Sequence, residues 1–345
     1  MHAHGKQRGR HHQRRNPTEK VVYQVLQKHW STFIAHTDAP IPKFVTREVE
    51  AYLRCGILQY GFMRTACSSC GHEELVAFSC KRRGFCGSCI GRRMSETSMH
   101  LIDAVLPEVP TRQWVTSFSW SLRYLMGYDR VLASDILEAV AQTVRERIAW
   151  RVKQDLALKS VTDVETGAVM FVQRFDSALR LNVHAHTLVL DGGYVWQNGK
   201  LVFHALSEVA EEDVRWVAKR CWQRIEKILK RYGKDPESGE PDPIAESEPF
   251  LAEVYGHAIS GFGTARIVDE SDDSHASGKT LVAQVGGINV HAERVIDGRD
   301  RPQLERLCRY ALRPPIAQDR LSLLPDGRVQ YEMKRMERRR KFVAV

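Results

Sequence analysis

No run among these 345 residues is apolar and long enough to cross a bilayer, which takes about 20 residues. The basic start, Met1-His-Ala-His-Gly-Lys6, has no apolar segment behind it and does not read as a secretion signal. No internal repeat is visible, so solenoid and propeller architectures are set aside. Cysteine is sparse outside one segment, since five of the eight fall between Cys67 and Cys89. Without a secretion signal, such a cluster reads as metal ligands rather than disulfides. These absences lead to the expectation of a cytoplasmic protein with no membrane partner.

Acidic residues are also in deficit. Asp and Glu total 42 against 51 Lys and Arg, a formal charge of +9, which favours a polyanionic partner. The positive charge is grouped. Lys6, Arg8, Arg10, Arg14 and Arg15 lie at the start, and Lys334, Arg335, Arg338, Arg339, Arg340 and Lys341 at the end. A third knot, Lys81-Arg82-Arg83 with Arg92-Arg93, lies inside the cysteine-rich segment. Residues 1–16 and 334–345 are expected to be basic, solvated tails. The remainder, in a chain that is 43% hydrophobic and 27% charged, is long enough to fold as two or three globular units.

Residues 17–62 have helical periodicity, with Thr18 as a cap for Val21, Val22, Val25 and Leu26. A second helix is expected from Thr46, stopped by Gly56, with Cys55 a small buried side chain in it. Residues 63–94 contain Cys67-Ser-Ser-Cys70 and Cys86-Gly-Ser-Cys89, separated by fifteen residues. Two C-x2-C turns at this distance have the spacing of a zinc ribbon, each directing two thiolates at one tetrahedral ion. Cys67, Cys70, Cys86 and Cys89 are therefore the expected ligands of a structural Zn²⁺, with Cys80 and His72 in reserve. Four thiolates leave no position for water, so such a zinc holds a fold rather than reacting. Lys81, Arg82, Arg83, Arg92 and Arg93, with Phe85 among them, suit a phosphate-facing surface.

Residues 95–333 read as the main domain, with loops over 233–247 and 267–280. A helix follows Met94 and ends before Pro107; Trp114–Trp120 and Val169–Phe175 alternate as half-buried strands do; Arg130–Leu158 is a long helix. Ser207–Lys230 is amphipathic, with Cys221 on its core side, and Gly287–His291 is a strand. Arg301–Arg313 is a helix closed by Pro314-Pro315, and Pro325-Asp-Gly327 centres a hairpin. The informative stretch is Leu181-Asn-Val-His184-Ala-His186-Thr-Leu-Val-Leu-Asp191. Alternation in a strand puts His184 and His186 on one face, a pair of nitrogen ligands for a divalent metal. Taken alone, H-x-H equally fits a strand whose polar face carries two histidines. A hairpin-type turn at Asp191-Gly-Gly193 is expected to follow. His204 and His257 read as ordinary surface or core histidines.

Together these segments resemble the transposases of the insertion-sequence 91 family, which belong to the HUH endonucleases. The resemblance is carried by Glu50–Gly56, Ala77–Cys86, Phe171–Phe175, Leu181–Asp191, Leu304–Tyr310 and Leu321–Gly327, in that order. It implies an α+β fold, in which an N-terminal helical segment and zinc ribbon precede a nuclease domain whose central antiparallel sheet has helices on one side and around its edges. It also implies metal-dependent cleavage and rejoining of single-stranded DNA at transposon ends and target DNA, through a 5′-phosphotyrosine. Tyr310 would be the nucleophile, His184 and His186 the ligands of Mg²⁺ or Mn²⁺, and Arg309 and Arg313 nearby DNA contacts. Arg306 stands one helical turn before Tyr310, which matches the one-tyrosine version of the family. For a third metal ligand His291 leads, ahead of Asp176 and Asp191. The chain departs from the pattern at Cys86-Gly-Ser-Cys89, where proline commonly follows the first cysteine, and in ending soon after the Leu321–Gly327 stretch, as a shortened version would. Two other readings share these motifs: a DNA-binding remnant without activity, and a replication initiator or relaxase.

Overall fold

The computed structural model describes residues 16–37, 41–82, 84–176, 180–234 and 281–332, and the backbone of Lys341–Ala344. Arg83, His257, the first fifteen residues, the loop expected over 267–280 and nearly all of that over 233–247 lie outside the described residues. The chain divides into two units, Met1–Ser95 with Arg313–Val345, and Glu96–Leu312.

In the first unit, α1 (Val21–His36) is entered through a 3-10 turn capped by Asn16, whose side chain accepts from the Thr18 amide at 3.3 Å and hydroxyl at 2.7 Å. The cap is thus two residues earlier than Thr18. Helix α2 (Lys43–Arg54) starts before Thr46 and turns Val49 and Tyr52 inward. It stops at Gly56, whose φ of +79° is cheap only for glycine. Strands β1 (Phe62–Ala66) and β2 (Glu73–Ala77) form an antiparallel ribbon, and α3 covers Gly87–His100. The core here is small: Tyr23, Tyr52, Cys55 and Cys86, with Phe85 edge-on to Tyr52 at 5.0 Å. Phe85 is therefore a packing residue, not the phosphate-facing aromatic expected.

The second unit contains β3 (Thr111–Phe118), α4 (Trp120–Tyr128), α5 (Arg130–Asp155), β4 (Val164–Glu165), β5 (Ala168–Phe175) and β6 (Leu181–Leu190). These are followed by β7 (Gly192–Gln197), β8 (Lys200–Ala205), α6 (Glu211–Arg231), β9 (Val282–Val285), β10 (Ile288–His291), β11 (Val295–Ile296) and α7 (Arg301–Ala311). The main sheet runs β5-β6-β3-β10-β9, antiparallel at each pairing, with β11 beside β3. Alternation divides it into two faces. Trp114, Phe118, Val183, Val189, Ile288 and Val290 pack with α4, α5 and α6 in the larger core, where Cys221 is buried. Phe171, Leu188 and Ile296 pack against Leu304, Leu307 and Cys308 of α7 and against Leu101 and Ile102. Helices thus cover both faces, rather than one face and the edges.

The expected turn at Asp191–Gly193 is not a hairpin. Strand β7 leaves the main sheet to pair with β4 and β8, and Asp191 is held by Arg112 through two bonds of 2.7 and 2.8 Å. Gly192 is required there, since a Cβ would lie 2.2 Å from the His204 carbonyl oxygen. The tight hairpin is one step on, at Asn198-Gly199, both at positive φ as a type I′ turn demands. Returning to the first unit, β12 (Leu321–Leu323) and β13 (Val329–Glu332) flank the Pro325-Asp-Gly327 turn as expected. The backbone of Lys341–Ala344, within the expected basic tail, adds β14 to them.

Candidate active site and metal centre

Strand β6 carries Asn182, His184 and His186 on the face that α7 covers, continued by Leu188. Pairing with β3 brings Gln113, Val115 and Ser117 alongside, and pairing with β5 brings Phe171 and Gln173. The apolar end of this face lies under α7 and the polar end extends beyond it. His184 and His186 are both buried, their ring centroids 5.1 Å apart. The Tyr310 ring, half-buried at the C-terminal end of α7, meets His186 edge-on at 6.0 Å and 88°. The structure therefore brings Tyr310 and His186 together across 124 positions of sequence (310 less 186).

Two glutamines hold this arrangement, and neither is prominent in the sequence. Gln113 places its side-chain amide nitrogen 2.8 Å from His186 Nδ1. Gln173, one strand away, donates Nε2 to the Tyr310 and Ala311 carbonyls at 3.2 Å each, fixing the end of α7 over the sheet. His184 Nδ1 lies 2.7 Å from the Asn182 carbonyl, which can only accept, so Nδ1 is the protonated nitrogen and Nε2 carries the lone pair. For His186, the Gln113 amide nitrogen donates to Nδ1 as placed. Turning that amide so that its oxygen faces the ring makes Nδ1–H the donor and leaves the lone pair on Nε2, the form that binding a metal through Nε2 requires. Two imidazole lone pairs on adjacent same-face positions suit a divalent metal. Among the described residues, no third Cys, His, Asp or Glu gathers with them. His291 is on the same face, in register with Val115 as His186 is, but β3 lies between, so their backbones are roughly 10 Å apart. Burial lowers the His291 pKa, with Glu293 opposing, and so keeps the ring neutral. Asp176 pairs with Arg180 at 2.6 Å and Asp191 with Arg112, which commits both carboxylates elsewhere.

In the first unit, Cys55 at the end of α2, Cys80 after β2, and Cys86 and Cys89 at the start of α3 have their sulfurs within 4.8 Å of one another. The separations are 3.6 Å for Cys55–Cys86, 3.7 Å for Cys55–Cys89 and 3.5 Å for Cys80–Cys89. A tetrahedral zinc with legs of about 2.3 Å sets its sulfurs about 3.8 Å apart, so these four fit the ion. Hydrogen bonding to Cys80, and then to Cys86 and Cys89, pushes the Cys55 thiol strongly down, towards the thiolate that binds metal. Of the four ligands expected, Cys86 and Cys89 are in this cluster. Cys67 and Cys70 are exposed at the tip of the β1–β2 ribbon, and Cys55 and Cys80 stand in their place. His72 is exposed and outside it. The available signal for Cys55 was Cys55-Gly56, which repeats the Cys-Gly step of Cys70-Gly71 and Cys86-Gly87.

The family titled "Transposase zinc-binding domain" matches residues 25–118, a span that includes all four clustered cysteines. The family titled "Putative transposase" matches residues 167–344, just over half of the chain, including His184, His186 and Tyr310. The chain is a transposase of the insertion-sequence 91 family. No curated protein and no solved structure matches it.

A transposase cleaves and joins DNA, so the surplus of basic residues has its polyanion. The zinc-binding domain match and the four-cysteine cluster together support a structural Zn²⁺. Of the basic residues expected to face DNA, Lys81, Arg82 and Arg92 are exposed, while Arg93 donates to the Lys81 carbonyl at 3.3 Å. Arg309 is exposed on α7 and pairs with Glu305 at 3.6 Å, and Arg313 follows the helix, half-buried. Among the described residues, no helix of this transposase is long and apolar enough to cross a membrane.

Proposed function

We propose that this transposase cuts and rejoins single-stranded DNA at the ends of its element by an HUH-type mechanism, with Tyr310 as nucleophile. The observation that carries the reading is the edge-on approach of Tyr310 to His186, beside His184 on the same sheet face. The phenolic oxygen of Tyr310 forms a bond to the scissile phosphorus, and the bond from phosphorus to the 3′ oxygen breaks. The phenolic proton is released and the departing oxygen takes one up, leaving a 5′-phosphotyrosine and a free 3′-OH. Attack by another strand's 3′-OH reverses these steps and conserves the phosphodiester energy. His184 and His186, through Nε2, would hold a Mg²⁺ or Mn²⁺, which when bound polarises the phosphate as a Lewis acid. Gln113 orients the His186 ring, and Gln173 fixes the turn of α7 that presents the phenol. Lys81, Arg82, Arg92, Arg309 and Arg313 serve as phosphate contacts, which position the strand without reading its sequence. Cys55, Cys80, Cys86 and Cys89 serve as the structural zinc ligands.

The test incubates purified protein with a single-stranded oligonucleotide from the element's end and Mn²⁺, followed by a denaturing gel. A covalent adduct that disappears in Tyr310→Phe and in His184→Ala is expected. Binding with no adduct would identify a DNA-binding remnant, and an adduct surviving Tyr310→Phe would move the nucleophile elsewhere.

A further inference from the structure

The β1–β2 ribbon stands apart from the small core of its unit. Every side chain of β1 and β2 is exposed except that of Ala77, and Phe62, Met63, Leu75 and Val76 are among those exposed. A two-stranded ribbon without a covering layer is marginal in water. Its tip is nevertheless tightly organised. The Gly71 amide donates to the Cys67 carbonyl at 2.9 Å and the Cys67 amide to the His72 carbonyl at 2.8 Å. Gly71 has a φ of +69°. The Cys67 sulfur lies 3.0 Å from Ser69 Oγ. Turned amides around a C-x2-C pair make the knuckle that supplies two thiolates to a tetrahedral ion. The zinc centre described above has its four sulfurs without these two, and among the described residues no other ligand group gathers at the tip.

We propose that Cys67 and Cys70 are half of a second zinc site, completed by the same two cysteines of a second copy of this chain. A two-fold axis through the ion generates four thiolates from two identical knuckles, with no other residue needed. The same axis sets ribbon against ribbon, covering apolar side chains that a single copy leaves in water. Arg64 and Glu73 lie on one face of the ribbon, paired at 3.3 Å, so that face set against itself meets opposite charges. Two ribbons of five-residue strands are too short to supply the roughly 1,200 Å² of a stable interface, so the association depends on the metal.

The test measures zinc per chain and molar mass for the full-length, zinc-loaded and desalted protein. The wild type is expected to hold about one and a half zinc ions per chain as a dimer, and Cys67→Ser/Cys70→Ser about one per chain as a monomer. Alkylation supplies a check that needs no variant. Cys67 and Cys70 should be protected in concentrated protein and become reactive on dilution, because only a shared site depends on concentration. Equal zinc content in wild type and variant would overturn the site. A monomer with two zinc ions per chain, its knuckle protected at every dilution, would show that ligands from the same chain complete it. A dimer that persists in the double variant would overturn the shared arrangement.

Discussion

Gln113 has no charge to titrate and stands in no recognised motif, yet it is the side chain that orients the His186 ring. Partners of this kind typically change metal affinity by about 10- to 100-fold when removed. Gln113→Leu is therefore expected to raise the Mn²⁺ concentration needed for adduct formation by about that factor, with the maximal rate recovering at high metal. A rate that stays low at every Mn²⁺ concentration would mean that Gln113 acts on the substrate instead. Asp191 makes the opposite case, a carboxylate close in sequence to the histidines that serves stability. It and Arg112 are each only 8% exposed in their side chains and form a doubly bonded pair. Asp191→Ala leaves the guanidinium buried, donating to the Ala292 carbonyl but without its carboxylate, at a cost of about 3–5 kcal/mol. Urea unfolding should show that loss. A variant that unfolds like the wild type but no longer binds Mn²⁺ would return Asp191 to the list of ligands.

At the scale of elements, the question is how α7 keeps Tyr310 at the edge of the polar face. Asp300 caps its start by accepting from the Gln303 amide at 3.0 Å, and Leu304, Leu307 and Cys308 seat it on Phe171 and Leu188. Its last turn is held by Gln173, whose loss leaves two carbonyls without that donor, at a cost of about 1–3 kcal/mol. Gln173→Leu is expected to slow adduct formation several-fold at saturating Mn²⁺ while the metal requirement stays as in the wild type. A shifted metal requirement would count against this role. Much of this arrangement was legible, because period-two alternation and helical spacing put His184, His186 and Tyr310 on the right elements. The rest depended on contacts between distant strands. Gln113 and Gln173 matter only once β3 and β5 flank β6, which no local pattern states. Asp191-Gly-Gly193 imitates a hairpin, but buried Arg112 holds the aspartate, and Asn198-Gly199 is the stronger turn signal. The cysteines show the same limit. C-x2-C spacing finds each knuckle but not which knuckles share an ion, and Cys55, at the end of a helix, looks like any small core residue.

At the scale of the whole molecule, the two units draw on different sources of stability. The larger has an extensive apolar core on both faces of its sheet, with none of the four clustered cysteines in it. The core cluster of the smaller, among its described residues, consists of two buried tyrosines and two of the metal-site cysteines. A structural zinc contributes on the order of 10–16 kcal/mol in small zinc-finger peptides, comparable with the whole stability of an ordinary domain. The smaller unit should therefore depend on its metal and the larger should not. Hydrogen exchange read by mass spectrometry, before and after exhaustive chelation, separates the two. Amides around Tyr52, Cys55 and Ile90 are expected to lose protection, while those of β6 and α5 keep theirs. Cys55→Ser should reproduce the chelated pattern without a chelator, whereas Cys67→Ser should leave protection around Tyr52 unchanged, because its thiol lies outside the four-sulfur cluster. If Cys67→Ser caused that loss and Cys55→Ser did not, the metal would be bound as the C-x2-C spacing first suggested, and the cluster at Cys55 would be a packing feature.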